Sequence, residues 1–324
     1  MIDNQTDDLE DQVISDPESS DDSSSDTYQD QHSSVDVQDF LTSKDGTEIW
    51  QKTPFIYGSQ AQSANVLTEA QGPSRQARNT CGQTPLHSFK LFITDEITQI
   101  ILKHSNDEGK RLYCDAWNCI SSEELHVFLG LMLLAGVYRS KNSPIDELWS
   151  EADGRPIFGR SMSRNRFKII KQCLRFDNRL ERDQTDKFAP IRRIFDIFIQ
   201  KCKANYKPSA FVTIDEQLVT FRGRCSFKMF IPSKPGKYGL KVWALCDSTN
   251  SYLCYAQPYV GRVGARDVGQ SGRVVLELTE HLSGTGRHIT ADNFFTDLVT
   301  ARSLLGRRLT YTGTKFSYLI TGFH

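Results

Sequence analysis

Hydrophobic and polar positions follow two different periods in two consecutive parts of this chain. Between residues 86 and 208, apolar residues recur every three or four positions, which is the spacing of one face of a helix. Thr94, Ser121 and Ser163 precede such stretches at positions where a hydroxyl can cap a helix, and Pro190 suits a first helical turn. The pattern therefore predicts a helical module over residues 86–208.

From residue 209 onwards, short runs of branched, apolar and aromatic residues predict strands separated by turns. The predicted elements are strands over 211–222, 238–247, 252–260, 289–292 and 309–314, and helices over 274–282 and 294–308. Their order, β-β-β-α-β-α-β, is typical of a ribonuclease H-like sheet. The predicted fold class is therefore α/β (α+β), with a ribonuclease H-like mixed sheet over residues 209–324 preceded by the helical module.

The first 85 residues carry few apolar positions. Residues 1–43 are rich in Asp, Ser and Gln and can bury too little apolar surface to order themselves, which predicts a disordered acidic tail. Residues 44–85 remain polar and contain several Gly and Pro residues, so we interpret them as a linker. Two interpretations of the tail stay open: a solvating arm, and an arm that contacts the basic part of the chain or a partner.

The net charge of −1 conceals a separation of charge along the chain. Thirteen of the 40 acidic residues and none of the 39 basic residues lie within residues 1–43, so the remainder carries a net charge of +12. A basic body favours a polyanionic partner such as nucleic acid, because Lys and Arg neutralise phosphates and release counterions. Solvated surface charge is the alternative that composition leaves open.

Composition restricts the class of protein further. A chain of 324 residues with 38% hydrophobic content can form one large or two modest domains with a real core. The eight cysteines form no CxxC pair and no apolar run reaches membrane-spanning length. We therefore expect a soluble intracellular protein with reduced thiols, and neither a membrane nor a small-molecule substrate as its partner.

Two acidic residues occupy positions where α/β sheets place functional groups. Asp215 lies within the apolar first strand, and Asp292 ends the fourth strand just before a helix. Because these strands are neighbours in a ribonuclease H-like sheet, the two carboxylates are expected to meet and to bind Mg²⁺ or Mn²⁺ for in-line phosphoryl displacement. Taken singly, each acid has a structural alternative: Asp215 could pair with Arg222 or Arg224, and Asp292 could be a helix N-cap.

Basic and aromatic residues alternate just after the first acid. We predict that six of the cations contact DNA: Arg222, Arg224, Lys228, Lys234, Lys237 and Lys241. Phe221 and Phe230 are predicted to pack in the core, and a basic hairpin loop without a DNA role is the alternative. The helical module adds cations that could face DNA or form a solvated helix face: Arg160, Arg164, Arg166, Lys168, Lys171, Arg175, Arg192 and Arg193.

Several segments together resemble the piggyBac family of transposases and the cellular proteins derived from them. The similarity runs in continuous order over about residues 86–314 and is carried by ISSEELHVFLGLMLLAGVYRS, ELWSEADGRPIFGRSMSRNRF, LRFDNR, DKFAPIRRIFDIF, TIDEQLVTFRGRCSFKMFIPSKPGKYGLKVW and TADNFFT. The resemblance implies a DDE/D transposase. Its helical domain would help to bind transposon ends, and its ribonuclease H-like domain would nick, join and seal DNA hairpins at TTAA targets with Mg²⁺. Asp215 of TIDEQ and Asp292 of TADNFFT match the family's first and second catalytic acids.

The chain departs from the family pattern near Lys315. The family's third catalytic acid lies beyond the TADNFFT segment and is usually followed by a cysteine-rich zinc-binding tail, and neither is found up to His324. Glu277 is a weak candidate for a substitute acid. We therefore expect a piggyBac-type transposase-derived protein that does not cleave or transpose by itself, with a non-catalytic DNA-binding protein as the alternative. The expected partner is double-stranded DNA (transposon ends and TTAA targets), a homodimer is one possibility, and the expected location is the nucleus.

Overall fold

The computed structural model describes residues 66–140, 143–261 and 269–314, together with Gly46 and short strand segments at 14–15, 40–42 and 49–51. Apart from the strand segments at 14–15 and 40–42, the predicted disordered tail, residues 1–43, lies outside the described residues, as does much of the predicted linker. The chain divides into two compact units. One unit, Gln71–Lys207, is called the helical unit here, and the other, formed by Met1–Ala70 with Pro208–His324, is called the sheet unit.

The regular elements are numbered in chain order through both units. The strands are β1 (Ile14–Ser15), β2 (Phe40–Thr42), β3 (Ile49–Gln51), β4 (Gly72–Pro73), β5 (Tyr206–Lys207), β6 (Phe211–Thr220), β7 (Met229–Phe230), β8 (Tyr238–Asp247), β9 (Leu253–Pro258), β10 (His288–Ala291) and β11 (Thr310–Gly313). The helices are α1 (Arg75–Cys81), α2 (Pro85–Lys90), α3 (Asp95–Tyr113), α4 (Ser122–Val137), α5 (Ile145–Leu148), α6 (Pro156–Ser161), α7 (Arg164–Cys173), α8 (Ala189–Asn205), α9 (Gln270–Thr279) and α10 (Leu298–Gly306).

The predicted helix caps are confirmed in the helical unit. The side chains of Thr94, Ser121 and Ser163 accept hydrogen bonds from backbone amides in the first turns of α3, α4 and α7. The helices bury their apolar faces in one core, which includes Ile97 of α3 and Phe128 of α4. Because the cap and the apolar period agree, local sequence and packing favour the same boundaries.

The helical unit begins earlier than the predicted module. The prediction started at residue 86, whereas the compact unit starts at Gln71 and ends at Lys207. Ser74 caps α1 by accepting a hydrogen bond from the amide of Ala77, and β4 pairs with β5 in an antiparallel manner. A short capped helix and a two-residue pairing leave too weak a periodicity for sequence patterns to detect.

A mixed sheet forms the centre of the sheet unit. β6 pairs with β8 in an antiparallel manner on one side and with β10 in a parallel manner on the other, and β11 lies parallel to β10. β8 pairs on its far edge with β7 and with β9, and β1 pairs with β7. The order of β9, β8, β6, β10 and β11 in the sheet confirms the predicted ribonuclease H-like mixed α/β class.

One face of this sheet is the core of the unit. Ile214 of β6 and Ala291 of β10 are buried on it together with Val274 and Leu278 of α9. Side chains alternate between the two faces of a strand, so the residue after each of these buried strand positions belongs to the opposite face. That opposite face carries the acids described below. None of the helices in the described ranges has both the length and the apolar character needed to cross a bilayer.

Candidate functional site

The two predicted acids lie in corresponding positions on neighbouring strands. Ile214 of β6 and Ala291 of β10 are register partners in a parallel pair, and Asp215 and Asp292 are the next residue on each strand. Both acids are exposed, whereas the two residues before them are buried. The alternation of faces therefore places both carboxylates on the open face of the sheet, as the predicted strand order required.

The electrostatics of Asp292 indicate that the two acids are close enough to repel each other. Partial burial raises the pKa of Asp292, and the negative charges of Asp215 and Glu216 raise it further. The backbone amides of Phe295 and Phe294 oppose this rise, although the Asp292 side chain completes no capping hydrogen bond. The site therefore concentrates negative charge, which is the environment that a cation would stabilise.

The structural alternative for Asp215 finds no support among the described residues, whereas Asp292 does occupy an N-cap position. Asp215 forms no ion pair there with Arg222 or Arg224, and its Oδ1 accepts a hydrogen bond of 2.7 Å from the amide of Glu216. Asp292 occupies the N-cap position of the 3-10 turn Asn293–Phe295 without a side-chain cap bond. Both carboxylates are thus left without a basic partner within the described ranges.

Lys241 is a buried cation beneath this site, which corrects its prediction as a surface contact for DNA. The residue is only 6% exposed, and its Nζ lies 2.8 Å from Oε2 of Glu216. The Lys241 Nζ also lies 5.2 Å from the ring centroid of Phe294 and 5.8 Å from that of Tyr259. Lys241 therefore connects the strand of the first acid to the segment that follows the second acid.

Lys234 is also drawn towards Glu216. Its Nζ lies 3.7 Å from Oε1 of Glu216 and 3.4 Å from the backbone oxygen of the same residue. Glu216 thus interacts with two lysines. No sequence pattern signals this cluster, because Glu216 and Lys241 meet only through the register of β6 with β8.

A third metal-binding acid is not found near the pair within the described residues. The weak candidate Glu277 lies on α9, where its Oε2 accepts a hydrogen bond of 2.9 Å from Gln257 and its Oε1 lies 3.4 Å from Arg273. Since α9 packs on the core face of the sheet, Glu277 belongs to the side opposite the acids. Across the described ranges, no group of three or more His, Cys, Asp or Glu side chains is arranged to hold a metal ion.

The basic segment after β6 exposes cations that have no carboxylate partner within the described part of the chain. Arg222, Arg224 and Lys237 are exposed, and none of them forms an ion pair there. Lys228 is half-buried and donates a hydrogen bond of 3.3 Å to the backbone oxygen of Gly223. These four residues, Arg222, Arg224, Lys228 and Lys237, are called the open cations below.

The aromatic residues of the same segment differ from the prediction. Phe221 is 36% exposed, so its predicted place in the core is wrong. Phe230 packs on Tyr238 with ring centroids 4.7 Å apart, and Tyr238 itself is 42% exposed. Phe227, at 5% exposure, is the buried ring of this segment instead.

The cations of the helical unit are mostly paired with carboxylates. Of the eight that the sequence suggested, six form ion pairs within the unit: Arg164 and Lys168 with Asp146, Arg166 with Glu124, Arg175 with Glu108, Arg192 with Asp186 and Arg193 with Glu96. Arg166 binds both carboxylate oxygens of Glu124, at 2.6 and 2.7 Å. The paired carboxylates therefore reduce the net positive charge that these residues give to the unit.

Comparisons with known proteins agree on one family. A family model described as Transposase IS4 matches residues 84–315. The human PiggyBac transposable element-derived protein 3 is 28% identical over 248 residues, which cover 72% of this chain and 40% of that protein. The human PiggyBac transposable element-derived protein 2 is 24% identical over 246 residues, with the same two coverages. The chain therefore spans about 40% of the length of these curated relatives.

A solved structure is similar in both sequence and fold. The cryo-EM structure of a piggyBac transposase synaptic complex with hairpin DNA contains a chain that is 37% identical, with a TM-score of 0.72. The similarity covers 77% of this chain and 54% of that chain.

Proposed function

This chain belongs to the transposase family described as Transposase IS4, as a piggyBac-family transposase-derived protein, and on that premise we propose that it binds double-stranded DNA through its sheet unit. The observation that carries the proposal is the group of open cations, Arg222, Arg224, Lys228 and Lys237, in the segment that follows the strand of Asp215. The similar transposase whose structure is a complex with hairpin DNA supports the same partner.

The physical basis of the proposal is the release of counterions from DNA. A lysine or arginine that neutralises a phosphate frees a condensed cation, and this term dominates binding that does not depend on sequence. A cation already paired with a carboxylate must first lose that partner, which offsets much of the gain. The open cations carry no such cost within the described part of the chain, whereas Lys234 and Lys241 are committed to Glu216.

The proposal is tested by titrating the full chain with a duplex at several salt concentrations. If the open cations each neutralise one phosphate, the slope of log K against log salt should be about −3.6, since each contact contributes about −0.9. Replacing Lys228 and Lys237 together by Gln should reduce the slope to about −1.8. A wild-type affinity that does not change with salt would contradict the proposal.

We further propose that Asp215 and Asp292 together hold a divalent ion, Mg²⁺ or Mn²⁺. DDE transposases generally use such ions, and carboxylate oxygens are the ligands that Mg²⁺ prefers. The fit rests on two carboxylates in matching register with no basic partner in the described ranges, and on the raised pKa of Asp292, caused by burial and by neighbouring negative charge. When bound, the ion would supply charge stabilisation at a phosphodiester. The two aspartates would orient it on the open face of the sheet.

Metal binding can be measured without any cleavage assay. Mn²⁺ should raise the unfolding temperature of the wild-type chain, because a ligand that binds only the folded state stabilises it. Asp215→Asn should remove that rise, and Glu277→Gln should not, because Glu277 lies on the other face of the sheet. An equal rise in the Asp215→Asn variant would show that the ion binds elsewhere.

The proposal includes no cleavage by this chain alone. Two carboxylates satisfy only part of the coordination that such an ion requires, and the described residues hold no group of three potential ligands. A non-catalytic DNA-binding protein is therefore the second candidate function. A nicking assay on hairpin or TTAA-flanked DNA with Mg²⁺ should detect no product. Nicking that disappears in Asp215→Asn would instead favour the transposase activity of the family.

The remaining parts of the proposal concern assembly and location. We propose the nucleus as the location because the substrate is DNA, and a homodimer as the candidate assembly on transposon ends with TTAA targets. Imaging of a tagged chain tests the location. Light scattering with and without a duplex tests the assembly, and a monomer under both conditions would contradict the dimer.

A further inference from the structure

The open face of the sheet continues from the acids into an exposed aromatic region. Asp215, Val219 and Phe221 are separated by even numbers of residues along β6 and its extension, so they share one face. Val219 is 49% exposed and Phe221 is 36% exposed. The described residues thus leave an uncovered apolar surface beside the acid pair.

Phe221 has a defined partner across the sheet. Its amide donates a hydrogen bond of 3.2 Å to the backbone oxygen of Tyr238, which continues the register set by Thr220 with Gly239. Residues directly opposite each other in an antiparallel pair project to the same face, so Phe221 and Tyr238 project together. The ring of Phe230 packs on Tyr238 and supports it from the neighbouring strand.

The tip of the Phe221 ring lies against Gly223. A Cβ atom on Gly223 would come within 2.5 Å of the Cζ atom of Phe221 and within 2.8 Å of its Cε1 atom, so only a glycine leaves room for the ring in this position. Gly223 itself is exposed, and Arg222 and Arg224 stand on either side of it. The chain therefore presents a partly exposed aromatic ring at a position flanked by two open cations.

Flat exposed rings beside cations fit one kind of ligand. Bases that have left a duplex stack favourably on aromatic side chains, while neighbouring arginines neutralise the phosphates. Bases inside a duplex are already stacked and cannot reach a ring on a sheet surface. The charge of the surroundings therefore favours a nucleic acid over an apolar peptide as the occupant of this surface.

We propose that Phe221 and Tyr238 form a platform that stacks unpaired bases, so that the site prefers DNA with unpaired bases over fully paired duplex. This inference rests on the proposed DNA binding and specifies the class of DNA substrate. The open cations supply affinity for any DNA, and the two rings supply the preference for unpaired bases. The sequence alone favoured core packing over base stacking for Phe221 and Phe230.

The test compares the affinity of the full chain for a single-stranded oligothymidine, a hairpin with an unpaired loop and a fully paired duplex at one salt concentration. Phe221→Ala should weaken binding of the single strand and of the hairpin about tenfold and binding of the duplex less than about twofold, since loss of one stacking contact has an effect of this size. Tyr238→Ala should act in the same direction. Phe221→Trp should retain the preference because the aromatic face is kept.

Phe211 offers a matched control. It lies on the same strand and the same face, it is 57% exposed, and it lies ten residues away from Phe221. Phe211→Ala should leave all three affinities unchanged. Circular dichroism and the unfolding temperature of each variant show whether an affinity change reflects loss of folding.

The outcomes separate this inference from the proposed function. If the wild-type chain binds no DNA at low salt, the proposed function fails and the inference fails with it. If the wild-type chain binds duplex but Phe221→Ala and Tyr238→Ala lower all affinities equally or none of them, DNA binding stands and the stacking platform is overturned. Only a selective loss for unpaired DNA, kept by Phe221→Trp, supports it.

Discussion

Two regions of this protein are rich in lysine and arginine, and they use these residues in opposite ways. In the helical unit, six of eight candidate cations pair with carboxylates of the same unit. In the segment after β6, Arg222, Arg224 and Lys237 are exposed and have no such partner among the described residues. The comparison shows that the number of cations does not identify a DNA surface, because a cation beside a carboxylate adds less net positive charge to the surface than an unpaired one does.

The sheet unit contains an exposed lysine and a buried, paired lysine within a few residues of each other. Lys237 is exposed and is one of the open cations, whereas Lys241, four positions later, is buried and forms an ion pair with Glu216. The difference arises because Lys241 lies on the core face of β8 beside Trp243, whereas Lys237 precedes β8 and has a positive φ of 51°, so the strand does not carry it towards the core. Position relative to the sheet therefore decides whether a lysine stabilises the fold or faces a partner.

The largest expected effect comes from removing the buried cation. Lys241→Met should lower the free energy of unfolding by about 3 kcal/mol, because the carboxylate of Glu216 would remain without its closest cation. Chemical denaturation measures this loss. Lys237→Met is the control and should change stability by less than about 0.5 kcal/mol. A similar loss for the two lysines would remove the distinction between them.

The second effect concerns DNA affinity. Arg222→Gln with Arg224→Gln should weaken duplex binding about 30-fold near 0.15 M salt, since each phosphate contact contributes about fivefold there. Arg164→Gln with Lys168→Gln removes the same charge from the helical unit, where both residues pair with Asp146, and should weaken binding only about twofold. Fluorescence anisotropy with a labelled duplex compares the two. Equal losses would show that pairing does not protect the helical cations from use by DNA.

The third prediction concerns a cation whose removal should lower stability and leave DNA affinity almost unchanged. Arg166→Gln should lower the stability of the helical unit by about 1 to 2 kcal/mol, because the partly buried carboxylate of Glu124 would lose two charge-assisted hydrogen bonds. Its affinity for duplex should stay within about twofold of the wild type, since a residue bound to Glu124 contributes little to phosphate neutralisation. A large loss of affinity with unchanged stability would place Arg166 on the DNA surface instead.

The smallest effect is the dependence of stability on pH at the acid pair. Burial and neighbouring negative charge raise the pKa of Asp292 in the folded protein, so the folded state binds its proton more tightly than the unfolded state. Stability should therefore fall as pH rises from the unfolded pKa through the raised folded pKa, and the loss should be complete above it. Asp292→Asn should remove this contribution and stabilise the protein slightly at neutral pH. Because the site is exposed to solvent, the gain should stay below about 1 kcal/mol.

Denaturation of the wild type and of Asp292→Asn across this pH range measures the difference between them. The two curves should converge at low pH, where Asp292 is protonated in both states. Mn²⁺ should reduce the difference at neutral pH if it neutralises the pair. A difference that is the same at every pH would show that Asp292 is not repelled by its neighbours.

Much of the fold and the position of the acid pair could be predicted from local signals. Thr94, Ser121 and Ser163 mark the starts of α3, α4 and α7, and the strand order of the sheet follows from the alternation of strands and helices. Asp215 and Asp292 meet because that order makes β6 and β10 neighbours. The environment of Phe221 was predicted wrongly, because a strand end with several aromatic residues does not reveal which ring enters the core.

The sequence by itself determined which elements form and roughly where the two acids stand, because caps and periodicity depend on residues within a turn or a strand of one another. Only the tertiary structure decided which charges are neutralised and which rings are covered. Glu216 meets Lys241, Glu124 meets Arg166 and Phe221 stands opposite Tyr238 through pairings that join distant positions. Such pairings arise when strands and helices pack, so no local pattern records whether a cation is open to DNA or bound within the protein.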